Sequence, residues 1–137
     1  MKFKIYLYAI TRILFGLALT LNGVYNVIIY PKFLACLEDH FERATILDFE
    51  FIEFFLVLVP FTEFIIGLLL MIGCYTRKVL MSSVILFLFI VMYLLDANSE
   101  IMIFVYIIFL LISGILLRKD NYNLKSMDYF RDSYQMI

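Results

Sequence analysis

Arg12 and Glu63 stand inside long apolar runs of this sequence, and both are ionisable. In hydrocarbon a central charge costs about 2.5–3.5 kcal/mol on insertion scales, so each needs a partner. Arg12 lies eight residues beyond Lys4, and Glu63 eleven residues before Cys74. On antiparallel helices the two share a depth, which leads to the expectation of a direct Arg12–Glu63 ion pair. Such a pair either locks two helices together or lines a polar pocket for a ligand head group or a proton, and the residues alone leave both open. Were Arg12 to snorkel to an interface instead, Glu63 would be left alone and could be neutral.

The thiols and the single histidine form the second candidate group. Cys36 and His40 are four residues apart and share a helix face, with Glu38, Asp39 and Glu42 nearby. A zinc site needs three or four ligands in a defined pattern, so no metal is assigned and His40 reads as an exposed loop histidine. Cys36 falls in a connection and Cys74 at the far end of an apolar run, roughly 30 Å away across a bilayer core. A disulfide needs Cα atoms within about 7 Å, so the two cannot bridge, and a self-contained C-x-x-C oxidase is excluded. Cys36 reads first as a small apolar residue, with a mixed disulfide to a partner protein as the alternative. There is no phosphate-cradling glycine motif, no H-E-x-x-H and no nucleophile elbow. With no assigned catalytic residue, a membrane subunit is favoured over a self-sufficient enzyme.

The elements that carry these residues follow from composition. Hydrophobic residues make up 65% of the chain, against about 45–50% for a soluble domain. The mean hydropathy of +1.00 makes lipid the natural solvent. A net charge of −1 gives no electrostatic case for nucleic acid. Tryptophan is absent, so an interfacial aromatic belt must use the ten tyrosines. A spanning helix needs about 20 apolar residues, and four segments qualify: about 5–30, 51–73, 79–95 and 101–117. The expected fold is all-α, an antiparallel four-helix transmembrane bundle over 1–117, with a C-terminal tail over 118–137. The first segment reads as a span and not a cleaved leader, because Arg12 interrupts it and no A-x-A site follows.

Orientation comes from the positive residues. Lys2, Lys4, Arg77, Lys78, Arg118, Lys119, Lys125 and Arg131 fall on one side of four spans. The other side has Lys32 and Arg43 among Glu38, Asp39, Glu42, Asp48, Glu50, Glu53, Asp96 and Glu100. Both termini are therefore expected in the cytoplasm, the membrane being the inner (plasma) membrane of a bacterium. In the first outer loop Phe33, Leu37, Phe41 and Ala44 recur at helical spacing between charges, which predicts an amphipathic helix. Asn98 or Ser99 is the expected N-cap of the fourth span. The tail is expected to pack on a partner or on lipid head groups.

Helical spacing also sorts the inward faces. Arg12, Gly16, Leu19, Gly23, Asn26 and Tyr30 share one stripe. Leu56, Pro60, Glu63, Gly67, Leu70 and Cys74 share another. The glycines permit close helix approach, and Pro60 leaves the Leu56 carbonyl without its helical donor. A weaker stripe holds Ser82, Leu86, Phe89 and Tyr93. Gly16, Gly23, Asn26, Gly67 and Tyr93 are thus the candidate ligand or helix-packing contacts.

Arg12-Ile13-Leu14-Phe15-Gly16 and Asn22-Gly23-Val24-Tyr25-Asn26 resemble the first span of the DoxX/MauE-like superfamily. Val59-Pro60-Phe61-Thr62-Glu63, continuing to Gly67 and Leu70 and followed by Thr76-Arg77, is similar to its P-x-x-E-x-x-x-G-x-x-L signature. The resemblance covers about residues 8–117 in layout. It implies a four-helix membrane subunit that anchors or couples a redox or thiol-related partner, with a quinone or lipid head group near Arg12 and Glu63. Arg12, Gly16, Gly23, Glu63 and Gly67 match the family's positions. The chain departs from it at Asn26, where relatives often have lysine, and in lacking a close cysteine pair. The rival expectations are a non-catalytic structural or accessory subunit of another envelope complex, and a small transporter using Glu63 as a proton site.

Overall fold

The structure, a computed structural model, describes residues 1–46, 50–98, 100–124 and 126–135. Asp48, Ser99 and Lys125, which entered the charge and capping arguments, lie outside the described residues. Every regular element among the described residues is helical: α1 (Lys2–Ile28), α2 (Tyr30–Arg43), α3 (Glu50–Val57), α4 (Val59–Ile72), α5 (Thr76–Asp96), α6 (Glu100–Arg118), a 3-10 turn (Asp120–Tyr122) and α7 (Met127–Gln135). The helices α1, α5 and α6 are each long and apolar enough to cross a membrane, and α3 with α4 makes a fourth candidate if the bent pair is one span. Ile101, Phe104, Ile108, Leu111 and Ile115 of α6 all point outward, as do Leu7, Ile10, Leu14 and Leu21 of α1. Contiguous apolar faces of this kind belong in lipid, where helices satisfy their own backbone.

Proline sets two of the boundaries. The first helix stops at Ile28, and Pro31 sits in the first turn of α2, where a missing N–H costs nothing. Pro60 likewise begins α4 and breaks the second apolar segment at Leu58, bending α3 against α4 by 44°. The carbonyls around that break find other donors. Thr62 gives both its N–H and its hydroxyl to Leu58 O, each at 3.1 Å. The Tyr30 hydroxyl donates to Val57 O at 3.2 Å.

The amphipathic helix expected over the first loop is present as α2, with Leu37 and Ala44 buried and Phe33 and Phe41 against the core. On α5 the expected stripe holds at Leu86, Phe89 and Tyr93 but not at its serine. Ser82 is exposed, and its neighbour Ser83 is buried, donating its one hydroxyl hydrogen to Leu80 O at 2.8 Å, which leaves its oxygen to accept from the Ser113 hydroxyl of α6 at 3.3 Å. Asn98, ahead of α6, takes a left-handed turn at φ +54°, a conformation asparagine tolerates.

Aspartates close the two ends of α5. At its start, Tyr75 and Thr76 donate their backbone N–H groups to the two Asp128 oxygens, each at 2.6 Å. This carboxylate comes from α7 and satisfies donors that no side chain local to α5 reaches. At its end, Asp96 accepts from the backbone N–H groups of Thr45 and Ile46, both at 3.0 Å, and from the Thr45 hydroxyl at 3.1 Å. The tail therefore folds back on its own chain and closes the end where α1 begins. We call that end the base and the α2 end the top.

Asp128→Ala should remove the cap of α5 and release α7. Stability in detergent should fall by about 1–2 kcal/mol, the usual cost of a lost cap. Thermal unfolding would measure the loss, and faster proteolysis after Leu124 would show the released tail.

Candidate functional site

The seam between α1 and α4 decides where the charged residues sit. A Cβ added at Gly16 would lie 2.8 Å from Gly67 O, and one at Gly23 would lie 2.7 Å from Pro60 O. A Cβ on Gly67 would meet Gly16 O and Thr20 N, both at 2.6 Å. Three glycines thus bring the two backbones into direct contact. Gly16, Gly23 and Gly67 are packing residues of this seam.

This register separates Arg12 from Glu63. Arg12 is buried at the base beside Gly73, whose left-handed φ of +77° and missing Cβ make room for the guanidinium. Its Nη1 donates to Asn123 Oδ1 at 2.8 Å, and Asp128 is the nearby acid. Glu63 lies level with Asn22, whose Nδ2 donates to Oε2 at 2.8 Å. Ten residues of helix separate Asn22 from Arg12, about 15 Å. The expected Arg12–Glu63 pair is absent because the glycine seam sets helix offset, whereas the expectation assumed that Lys4 and Cys74 mark one level.

Glu63 is fully buried, and its Oε1 has no hydrogen-bond partner. The Tyr106 side chain of α6 lies beside both Glu63 and Asn22. Tyr106 and Ser113 are the only hydroxyl-bearing residues of α6, seven residues apart and on one face. That spacing was the available signal for Tyr106, and Asn22, a lone amide in an apolar run, was the signal on α1.

Tyr106 also lines a cavity of about 330 Å³ beneath α2. Its walls are mainly apolar and include Leu37, Leu56, Val59, Ile90 and Leu94. Leu56 and Val59 flank the helix break, so the bend at Leu58 borders this space. The polar groups facing it include Asn26, Tyr93, Tyr106, Lys32, Cys36 and His40. Three candidates from separate sequence arguments, Asn26, Cys36 and Tyr93, therefore meet at one site. The volume is at the lower end of the range for small-molecule pockets, about 300–1,000 Å³, and suits a ring or a head group with part of a chain.

His40 is not an exposed loop residue: it is buried and faces this cavity. Its Nδ1 is 2.6 Å from Cys36 O and 3.3 Å from Cys36 Sγ. A carbonyl only accepts, so Nδ1 carries the hydrogen in this geometry. A nitrogen that already carries its hydrogen cannot take the Cys36 proton, so this contact is not a thiol–imidazole base pair. Burial pushes the Cys36 thiol up from its ordinary range, with Asp39 adding to the effect and Arg43 opposing it. Cys36 and Cys74 are both unpaired, one at the top and one at the base.

No protein-family model, curated protein or solved structure matches this chain.

Cys36 should alkylate more slowly at neutral pH than a free cysteine, because less of it is thiolate. Its rate should keep rising at pH values where a free thiol has levelled off. Intact-mass measurement of maleimide labelling in a Cys74→Ala background would record this, and a rate equal to that of free cysteine would contradict the buried placement.

Proposed function

We propose that this chain is a four-span, DoxX/MauE-like membrane subunit that holds a quinone or lipid head group in the cavity beneath α2. It couples or anchors a redox or thiol-related partner protein and is not itself a complete enzyme. The cavity carries this reading: apolar walls for a chain or ring, with Asn26, Tyr93, Tyr106 and His40 converging to orient a polar head. The ligand position moves from the Arg12 end to the Glu63 end, since the two charges do not meet.

Four crossings with both termini in the cytoplasm are supported by the tail. Asn123 and Asp128 reach Arg12, Gly73 and Thr76 at the base, where α1 also begins. If α3 and α4 formed a re-entrant loop, the three remaining crossings would put the termini on opposite sides. The clustering of Lys2, Lys4, Arg77, Lys78, Arg118 and Lys119 at the base supports its cytoplasmic assignment. The bacterial inner membrane remains the compartment that best suits this pattern. The rival reading, a non-catalytic structural subunit of another envelope complex, would set a partner helix in place of lipid on the apolar outward face of α6.

Reporters fused at the two termini should both appear in the cytoplasm, and opposite locations would overturn the four-span arrangement. Protein extracted gently in native lipid should carry a quinone or phospholipid in stoichiometric amount, identified by mass spectrometry together with any co-purifying redox protein. Cys36→Phe, which fills the cavity from α2, should reduce ligand occupancy about tenfold or more, as loss of about 1.4 kcal/mol of binding requires. A non-redox assembly with no bound molecule would instead select the structural reading.

A further inference from the structure

We propose that Glu63 is a proton-binding site: a neutral carboxylic acid held between Asn22 and Tyr106 that exchanges its proton with the cavity beneath α2. The proposal rests on the membrane placement above and is independent of which ligand fills the cavity.

Charge balance carries the argument. The Glu63 side chain is fully buried, with Oε2 bonded to an amide and Oε1 unbonded. No cation among the described residues pairs with it. Glu63 is the only charged residue of α4, α5 has none between Lys78 and Asp96, and α6 has none between Glu100 and Arg118. On α1 the only charge beyond Lys4 is Arg12, at the level of Gly73. At the top, α2 brings Lys32 and His40 to the cavity wall and α3 carries Glu50 and Glu53, and none of these forms an ion pair with Glu63. The titratable group that faces Glu63 is Tyr106. An ionised carboxylate in that setting would be an uncompensated buried charge costing several kcal/mol, and it must be neutralised.

The surroundings select a proton over a metal cation. Sodium-like or divalent ions require a shell of oxygens. Here the amide bonded to Glu63 presents its nitrogen, and among the described residues the phenol of Tyr106 is the other polar group beside the carboxyl. A proton needs no shell.

The exchange route is one-sided. Toward the base, the backbone contacts at Gly16 and Gly67 close the seam, and Arg12 with Asn123 fills its end. Toward the top, Tyr106 touches Glu63 and also lines the cavity. A phenol hydroxyl both donates and accepts. The Glu63 proton passes to the Tyr106 oxygen while the Tyr106 proton passes to water or a ligand acceptor in the cavity. Glu63 becomes a carboxylate, Tyr106 is unchanged and the acceptor gains one proton.

The test uses the full-length protein in native membranes. Dicyclohexylcarbodiimide is apolar and adds to protonated carboxyls, so it should leave an acylurea adduct on Glu63 at neutral pH, with yield falling as pH rises. A water-soluble carbodiimide should modify Glu38 and Glu42 but spare Glu63. The infrared carbonyl band of a protonated carboxyl should be present in the wild type and lost in Glu63→Gln. Tyr106→Phe should keep that band but slow its hydrogen–deuterium shift about tenfold or more, since it removes the relay. Two results would overturn the proposal: no protonated-carboxyl band lost in Glu63→Gln, or sodium-dependent protection from the carbodiimide at fixed pH. Alkaline carbonate extraction of the same membranes separates the two levels. Release of the protein would sink the membrane placement, whereas retention without the band would sink the proton site alone.

Discussion

The backbone-to-backbone contact of α1 with α4 governs the rest of the molecule. Larger residues at positions 16, 23 and 67 would hold the helices farther apart and let them slide. Glycine removes both freedoms, because each close approach places one helix's backbone against the other's. The fixed offset puts Arg12 beside Gly73 and Asn22 beside Glu63. Each polar group then finds its surroundings by register, and the two charges end up near opposite ends of the seam, not neutralising one another.

The break in the second apolar segment has an equally specific result. A continuous helix would pack along α1 for its whole length, whereas the turn at Leu58 swings α3 out of line with α4. The bend exposes carbonyls that would be costly in an apolar interior. Thr62 and Tyr30 satisfy them, so the bent shape is supported chemically and does not depend on flexibility. The space beside the bend is roofed by α2, whose end is tied to α5 through Asp96. Proline, a tyrosine and a distant aspartate together maintain the cavity.

Much of this was legible in the sequence. The inner stripes of α1 and α4 were readable because a glycine, a charge or a proline recurs at helical spacing, and Arg12, Gly16, Leu19, Gly23, Leu56, Pro60, Glu63, Gly67 and Leu70 are all buried. The amphipathic α2 was readable from Phe33, Leu37 and Phe41. Depth was not, since it depends on which backbone atoms touch, and no residue type encodes an offset along the helix axis. That is why the Arg12–Glu63 pair was expected and does not form. Asn123 and Asp128 were also invisible as partners, because a short polar tail shows no period that says where it folds. Ser83 was missed for a smaller reason. Adjacent serines differ by about 100° around a helix, and the apolar pattern of α5 is too uniform to choose between them.

The closure of the base has a consequence for how the molecule is made. Asp128 and Asn123 are synthesised after every apolar helix, yet they supply the cap of α5 and a hydrogen bond to Arg12. Until those residues are made, the guanidinium lacks its bond to Asn123 and the amides of Tyr75 and Thr76 lack their carboxylate, and water or lipid phosphate can stand in. The apolar helices therefore settle while these polar groups are still in temporary company. Asn123 and Asp128 then exchange that company for permanent partners, so the base matures only after residues beyond α6 have been made.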